Sequence, residues 1–284
     1  MTRRPRILVL GASGRLGAML RRHWCAADLH PVWQFRAAPD PVYHGETVIF
    51  DPLDGPPAIE PVDVVLGLAG IVPGSGSVSL NTDLGLATVT CAVALGARHV
   101  MLSSSAAVYG ASQALLREDE IACPLSAYGR SKLDMEDKAL ALAQHHDMPT
   151  TSLRIGNVAG ADALLAQPSS CRTLDRFASG QGPARSYIGP HALSTILQAL
   201  MQKACSGTPL PARLNVALRG RVAMADLCRA AGLGVTWQPA PVTAVETVEL
   251  DVKRLANLVA VQDADAPAIV ADWQADRNMR RGRG

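Results

Sequence analysis

Apolar residues occur along this chain in two alternating arrangements. Short runs rich in Val, Ile and Leu, such as RILVL at residues 6–10, are apolar almost throughout, and longer Ala/Leu-rich segments separate them. Strands buried on both faces form continuous apolar runs, and helices between them connect strands that lie parallel. The pattern therefore predicts a doubly wound α/β fold, with a parallel sheet covered by helices on both faces.

The same periodicity sets the expected elements and units. We predict strands at residues 6–10, 31–35, 47–50, 62–70, 98–105 and 149–155, and helices at about Arg15 to Ala27, 80–96 and 126–146. After residue 157 the pattern loosens, and helices at 191–204 and 224–232 and a short strand at 212–218 follow. We therefore expect a first domain at residues 1–160 and a smaller lobe at residues 161–284 that is interleaved with the sheet.

Composition and charge exclude several classes of protein. The chain has 284 residues, of which 48% are hydrophobic and 18% charged, so it can bury a full core. The net charge is only +2, and basic residues gather at the two ends. Because a nucleic-acid-binding protein needs a basic face within the fold, we expect no nucleic-acid partner and a flexible basic tail from about residue 277.

The cysteine pattern predicts a reducing compartment, and the hydropathy predicts no membrane span. Six cysteines are scattered without a C-x-x-C pair, and no histidines have ligand spacing, so we expect neither disulfides nor a metal site. No run approaches the ~18 apolar residues of a membrane span. The expected location is the cytoplasm, with no membrane association.

A glycine-rich loop follows the first predicted strand and opens the first helix. In GASGRLG, Gly11 permits a tight turn and Gly14 lets the backbone approach a pyrophosphate. The N-terminus of the helix that opens here offers free amide groups and a partial positive charge to an anion. The loop therefore predicts a dinucleotide site. The alternative is a turn that glycines only allow to pack closely.

The end of the second predicted strand bears on the choice of dinucleotide. NAD sites usually place an acid there for the adenosine ribose, whereas this strand ends in Arg36 with no acid before Asp40. Arg36 and Arg15 could hold a 2′-phosphate through charged hydrogen bonds, which favours NADP over NAD. Alternatively, Arg36 is a solvated strand end and Asp40 or a backbone group serves the ribose.

Taken together, five motifs resemble the extended short-chain dehydrogenase/reductase family, whose members include nucleotide-sugar epimerases, dehydratases and reductases. They are GASGRLG, GLAG at 67–70, SSSAAVYG at 103–110, YGRSK at 128–132 and LRIGNVAG at 153–160, with weaker echoes up to residue 255. The resemblance implies a Rossmann fold that binds NAD(P). It implies cofactor contacts from Gly11, Ser13, Gly14, Arg15, Leu16, Gly17, Arg36, Asp51, Leu68, Ala69, Gly70 and Lys132.

The resemblance also implies the catalytic roles. Tyr128 would be the acid/base, Lys132 would support it and hold the nicotinamide ribose, and Ser105 would hold the reacting oxygen. A free phenol has a pKa near 10, and residues four apart share a helix face. We therefore expect the Lys132 ammonium to lower the pKa of Tyr128, although the pair could also be an ordinary one on a helix surface. Asn81 is implied to be structural.

The sequence indicates the substrate-binding residues less clearly than the cofactor-binding and catalytic ones. The resemblance implies diphosphate contacts from Asn157 and Arg185, although a capping asparagine and a solvated arginine are the alternatives. Ala106 and Ala107 stand where 4,6-dehydratases carry an acidic pair, so we do not expect dehydration. The short interval from 157 to 185 weakens the assignment to nucleotide sugars.

Two kinds of function remain. The first is an NAD(P)-dependent epimerase or reductase that acts on a secondary alcohol or ketone of a small molecule, with tightly held NAD in an epimerase and exchanging NADPH in a reductase. The second is a non-catalytic NAD(P)-binding sensor or scaffold of the same fold. The resemblance further implies a homodimer, formed through the helices that follow the fourth and fifth strands.

Overall fold

A computed structural model describes residues 4–24, 28–39, 45–111 and 115–281. The strands are β1 (Arg6–Leu10), β2 (His30–Phe35), β3 (Glu46–Ile49), β4 (Val64–Gly67), β5 (His99–Ser105), β6 (Thr150–Ile155), β7 (Asn157–Val158), β8 (Cys171–Arg176), β9 (Ala184–Arg185), β10 (Tyr187–Ile188), β11 (Arg213–Val216), β12 (Val222–Ala223), β13 (Gly234–Pro239) and β14 (Thr247–Val248). The helices are α1 (Arg15–His23), α2 (Leu80–Ala94), α3 (Ala127–His145), α4 (Pro190–Cys205), α5 (Met224–Ala230), α6 (Lys253–Ala256) and α7 (Ala266–Arg281), and 3₁₀ turns occupy Pro52–Asp54 and Ala106–Val108.

Seven strands form one parallel sheet in the order β11-β6-β5-β4-β1-β2-β3. The predicted doubly wound fold is confirmed. The strand order reverses between β1 and β4, and in such sheets ligands bind at this point, beyond the carboxyl ends of the strands.

Alternate residues of β1 show how the sheet is covered on both faces. Ile7 and Val9 belong to one apolar cluster, which includes residues of α1, α4 and α7, whereas Leu8 and Leu10 belong to a second cluster with α2 and α3. Side chains of a strand point alternately to its two faces, so each face of the sheet needs its own layer of helices. All four side chains are fully buried.

The chain after residue 157 differs from its predicted pattern. Strand β11 extends the main sheet beside β6, and the short strands form three small sheets, β10-β7, β12-β9-β14 and β13-β8, which the periodicity did not predict. Helix α7 was also missed, and it extends to Arg281, so residues 277–281 are helical rather than a flexible tail. At the other end, α1 ends at His23, and residues 25–27 of the predicted helix lie outside the described part.

Two carboxylates of α7 bond α1 and α4, two of the helices on which it packs. Asp276 accepts hydrogen bonds of 2.7 and 2.6 Å from the Arg22 guanidinium of α1. Asp272 accepts from the backbone amides of His191 and Ala192, at 2.9 and 3.2 Å, in the first turn of α4. Since Gly189 gives α4 no side-chain cap of its own, Asp272 satisfies amides that would otherwise lack partners. No helix in the described ranges is both long and apolar enough to cross a membrane.

Candidate active site

The glycine loop lies in tight contact with the end of β4. Gly11 has a φ of +84°, and a Cβ at this position would come within 2.5 Å of the Ala69 backbone nitrogen. A Cβ at Gly17 would come equally close to the carbonyl oxygen of Gly11. Gln34 of β2 accepts a 2.9 Å hydrogen bond from the Gly11 amide, which fixes the turn from a neighbouring strand. There is therefore no room for a side chain at Gly11 or Gly17.

The start of α1 fits an anionic ligand. Gly14 precedes the helix, and among the described residues no side chain caps its first turn. The first amides of a helix without a cap present hydrogen-bond donors and a partial positive charge. Arg15 and Leu16 lie in this turn and Ser13 lies just before it, and contact of their backbone with a pyrophosphate stays a prediction.

A cleft of about 300 Å³ opens between the glycine loop and the end of β2. Ser13, Phe35 and Arg36 line it, together with residues 37–39. Arg15, by contrast, donates a 2.8 Å hydrogen bond to the Ala161 carbonyl. Of the two arginines considered for a 2′-phosphate, Arg36 therefore lies in the cleft, whereas Arg15 ties the loop to the later part of the chain. Asp40 lies outside the described residues.

The other expected cofactor residues lie at the ends of β3 and β4. Asp51 caps the 3₁₀ turn after β3 by accepting from the Leu53 amide at 3.0 Å. The Leu68 amide bonds the Leu10 carbonyl at 2.9 Å, which continues the sheet for one residue beyond β4. A Cβ at Gly70 would lie 3.1 Å from the Lys132 Nζ, so the backbone here runs directly against the expected catalytic lysine.

Asn81 connects this segment to α3. Its Oδ1 accepts from the Ile71 amide at 2.9 Å, and its Nδ2 donates to the Ile71 carbonyl and to the Ser131 hydroxyl, both at 3.0 Å. The side chain is fully buried. Asn81 therefore has a structural part in holding the loop after β4 beside α3.

Helix α3 begins where it brings Tyr128 to the end of β5. Ser126 caps it by accepting from the Gly129 amide at 3.0 Å, so Tyr128 lies in the first turn. A Cβ at Gly129 would lie 2.3 Å from the Ala107 carbonyl, so glycine allows this turn to pack directly on the 3₁₀ turn after β5. The Tyr128 hydroxyl is hydrogen-bonded to the side chain of Ser105, the last residue of β5.

Lys132 lies one turn further along α3. It is 3% exposed, and its Nζ donates a 2.9 Å hydrogen bond to the carbonyl oxygen of Ser103. The structure thus brings Ser105, Tyr128 and Lys132 together at the carboxyl edge of the sheet, next to the segment that carries Gly70.

The electrostatics of the pair differ from the expectation. Burial raises the pKa of Tyr128 and outweighs the hydrogen bond from Ser105, which lowers it. Burial also lowers the pKa of Lys132 to about 8, against an opposing effect of the Glu136 carboxylate. The predicted lowering of the Tyr128 pKa by Lys132 is therefore not found, because burial dominates and the ammonium is directed to the Ser103 carbonyl.

A buried ionic cluster behind the lysine was missed by the sequence analysis. Glu136, which is 1% exposed, accepts hydrogen bonds from the Ser104 hydroxyl at 2.5 Å and from the Arg154 guanidinium at 2.7 to 3.1 Å. Arg154 in turn stacks 4.8 Å from the centre of the Tyr109 ring. The available signals were the four-residue spacing from Lys132 to Glu136 and an arginine inside a buried strand.

Asn157 belongs to a hydrogen-bonded network with Tyr187 and Asp162. Its side chain is hydrogen-bonded to the Tyr187 hydroxyl, which donates to Asp162 at 2.6 Å. Burial raises the pKa of Asp162 in spite of this bond. The contact between Asn157 and a diphosphate stays a prediction.

Arg185 is occupied by main-chain groups. Its guanidinium donates to the carbonyl oxygens of Ala184, Val245 and Glu246, at 2.7, 2.6 and 2.8 Å. It is thus neither solvated, as the alternative supposed, nor directed to an open cleft, and its part in binding a diphosphate stays a prediction.

The described ranges contain no group of three or more His, Cys, Asp or Glu side chains that could hold a metal ion. Ala106 and Ala107 lie in the 3₁₀ turn that follows Ser105, so two methyl side chains occupy the positions next to this serine.

Comparisons with known proteins agree with this geometry. A UDP-glucose 4-epimerase of Azospirillum brasilense is 27% identical over 247 residues, which are 80% of this chain and 67% of the relative. A UDP-glucose-4-epimerase from Stenotrophomonas maltophila, solved with bound NAD and formylated UDP-arabinopyranose, superimposes with a TM-score of 0.76 at 18% identity, covering 98% of this chain and 99% of the other.

A third similar structure is an NAD-dependent NDP-hexosamine 5,6-dehydratase involved in tunicamycin biosynthesis, with a TM-score of 0.75 and 19% identity over 96% of this chain and 98% of the other. At these identities the structures show a shared fold. The model of the NAD dependent epimerase/dehydratase family matches residues 7–182, more than half of the chain. The resemblance to extended short-chain dehydrogenases is confirmed, and this chain belongs to the NAD dependent epimerase/dehydratase family.

Proposed function

We propose that this protein transfers a hydride at a secondary alcohol or ketone of a nucleotide sugar, with Tyr128 as the acid/base. The observation that carries the proposal is the meeting of Ser105, Tyr128 and Lys132 at the carboxyl edge of the sheet, on the same edge as the glycine loop. Nucleotide sugars are the proposed substrates because the chain is similar to two UDP-glucose 4-epimerases.

The chain's own residues supply proton transfer and positioning. A bound nicotinamide dinucleotide supplies the site that accepts or donates the hydride. Ser105 bonds Tyr128 and can bond the substrate oxygen at the same time, which holds that oxygen within reach of the phenol. Because burial raises the pKa of Tyr128, the phenol is protonated at neutral pH and is ready to donate to a carbonyl oxygen.

The reverse transfer, from a substrate hydroxyl, requires Tyr128 as the phenolate. The Ser105 hydrogen bond favours that state. Ala106 and Ala107 have no group that could move a second proton, so we propose epimerisation or reduction rather than 4,6-dehydration.

The decisive test replaces the phenol. Tyr128→Phe should lower turnover of UDP-glucose or UDP-galactose by about 10²- to 10⁴-fold, the usual range for a lost general acid or base, while NADH affinity is retained. Tyr109→Phe is the matched control, since its hydroxyl bonds Asn215 in the interior. Undiminished turnover in Tyr128→Phe contradicts the mechanism. Dinucleotide binding by the native protein without turnover of any ketone or nucleotide sugar would favour the sensor.

The cofactor decides between epimerase and reductase. We propose that Arg36 faces the 2′ position of the adenosine ribose, which favours NADP, although the family is NAD-dependent and similar structures hold NAD. Mass spectrometry of the dinucleotide that co-purifies separates the outcomes. Retained NAD identifies an epimerase, whereas empty protein with tighter binding of NADPH than of NADH identifies a reductase.

We further propose a homodimer formed through α2 and α3. Helix α2 carries apolar residues on its outer side as well as on its buried side, and Leu80 is 37% exposed. A helix that is apolar all round is usually covered on all sides. Sedimentation at micromolar concentration tests this proposal, and a monomer would refute it.

A further inference from the structure

Three consecutive serines at the end of β5 bond three successive turns on the inner face of α3. The carbonyl oxygen of the first, Ser103, accepts from the Lys132 Nζ at 2.9 Å. The hydroxyl of the second donates to the Glu136 Oε1 at 2.5 Å, and the side chain of the third bonds the Tyr128 hydroxyl. Residues four apart share one face of a helix, so these contacts fix how far along the sheet α3 lies. Glu136 alone has no part in the chemistry proposed above.

The Glu136 carboxylate is bound from three strands. Ser104 contacts it from β5, Arg154 from β6 through its Nε and Nη2, and Arg213 from β11 through its Nε at 3.2 Å. The side chains of Glu136 and Arg154 are 1% and 2% exposed. Removing a buried ion from water is costly, and the cost is offset only when pairing is nearly complete, so this geometry is strongly specified.

Glu136 is also the buried negative charge on the same helix face as Lys132. Burial by itself lowers the pKa of Lys132, and the negative charge of Glu136 acts in the opposite direction by favouring the ammonium form. On the far side of the carboxylate lie two cations, Arg154 and Arg213. Of the other ionisable groups around the lysine, Tyr128 bonds Ser105, Tyr109 packs on Arg154, and Asp134 bonds Thr82 and Lys138. The elements packed around the lysine also carry Arg130, Asp137, Lys138 and His145 on α3, Asp83 and Cys91 on α2, and His99 on β5.

We propose that Glu136 is a positioning residue for Lys132: its carboxylate, held by Ser104, Arg154 and Arg213, sets the register of α3 on the sheet and keeps the lysine protonated beneath the cofactor site. This inference rests on the role of Lys132 in the proposed function. Without the carboxylate, Lys132 would share a buried region with an uncompensated Arg154, and its charged form would be disfavoured.

The sequence makes a direct measurement practical because it contains four lysines, Lys132, Lys138, Lys203 and Lys253. In protein labelled with ¹³C-lysine, NMR should show four side-chain signals, and Lys132 is assigned by its loss in Lys132→Arg. In the native protein its titration midpoint should lie well below those of the other three. In Glu136→Gln the midpoint should fall by about one pH unit, the lower end of the effect of an adjacent opposite charge.

Asp137→Asn is the matched control. It removes an equal charge one residue away, from a side chain that is 58% exposed and bonds the outer side of Arg213 at 2.8 Å. Its Lys132 midpoint should stay unchanged. A role that is only structural would lower the unfolding temperature of Glu136→Gln without moving the Lys132 midpoint, and that result would overturn the proposal.

Arg213→Ala tests the direction in which the Lys132 titration midpoint moves, and it keeps the proposal falsifiable if Glu136→Gln does not fold. It removes a cation from the carboxylate at a side chain that is already 33% exposed, so the Lys132 midpoint should rise by a few tenths of a pH unit. A fall would contradict the proposal. Failure of the proposed function is distinguished separately, since it would appear as absent turnover in the native protein or as undiminished turnover in Tyr128→Phe, whereas these titrations need neither cofactor nor turnover.

Discussion

The region around the glycine loop and the region after residue 157 use arginine in different ways. In the first region, the close contacts are made by backbone and glycine, and Arg36 remains in an open cleft. In the second, Arg172 and Arg185 donate to seven main-chain carbonyl oxygens between them. Regular strands satisfy their own carbonyl groups, whereas an irregular segment needs side-chain donors to do so. The first region is thus organised by its sheet, and the second by buried charge.

The largest expected effect tests the backbone character of the first region. Gly11→Ala adds a Cβ that would lie 2.5 Å from the Ala69 nitrogen, so the loop must move away from β4. NADH affinity, measured by fluorescence, should fall about 100-fold, equivalent to about 2.7 kcal/mol.

Gly55→Ala is the control, since Gly55 also has positive φ but no atom within 4 Å of its Cβ position. Equal losses of affinity in both variants would show that the contact with β4 is unimportant.

A smaller effect is expected from removing the main arginine of the second region. Arg172, which is 5% exposed, donates to the carbonyls of residues 164, 167, 169 and 171. Arg172→Met leaves these acceptors without partners and should lower the free energy of unfolding by about 2 kcal/mol in urea denaturation.

The control is Arg176→Met, which should lower the free energy of unfolding much less than Arg172→Met does, since Arg176 is exposed and stacks on Trp237. NADH affinity of folded Arg172→Met should be within about twofold of native. A large loss of affinity would mean that the two regions are not independent.

The smallest effect is expected from removing Asp272, the residue of α7 that caps the first turn of α4. Asp272→Ala removes the acceptor for two amides of that turn and should cost about 1 kcal/mol of unfolding free energy, as lost helix caps do. The control is Asp263→Ala, which removes an exposed carboxylate paired with Arg219. A cost for Asp272→Ala no larger than that of the control would show that the cap contributes nothing.

Much of the fold before residue 157 could be predicted from the sequence. Its six strands are apolar runs whose burial on both faces leaves a plain periodicity, and Tyr128 and Lys132 are near neighbours in a helix. Glu136 could not be predicted as a buried ion, because its partners lie 18, 32 and 77 residues away. The pairing of β8 with β13 likewise joins mostly exposed strands some 60 residues apart, so no local pattern reveals it.

The serines at the end of β5 have a consequence for protein engineering. Because Ser103, Ser104 and Ser105 hold α3 at three turns, the strand rather than the connecting segment determines where the helix lies. Segments that we propose to contact substrate, such as the one after β7, can then be exchanged between relatives without displacing Tyr128. We therefore expect that substrate selectivity can be redesigned in these segments while the residues held by β5 and α3 are left unchanged.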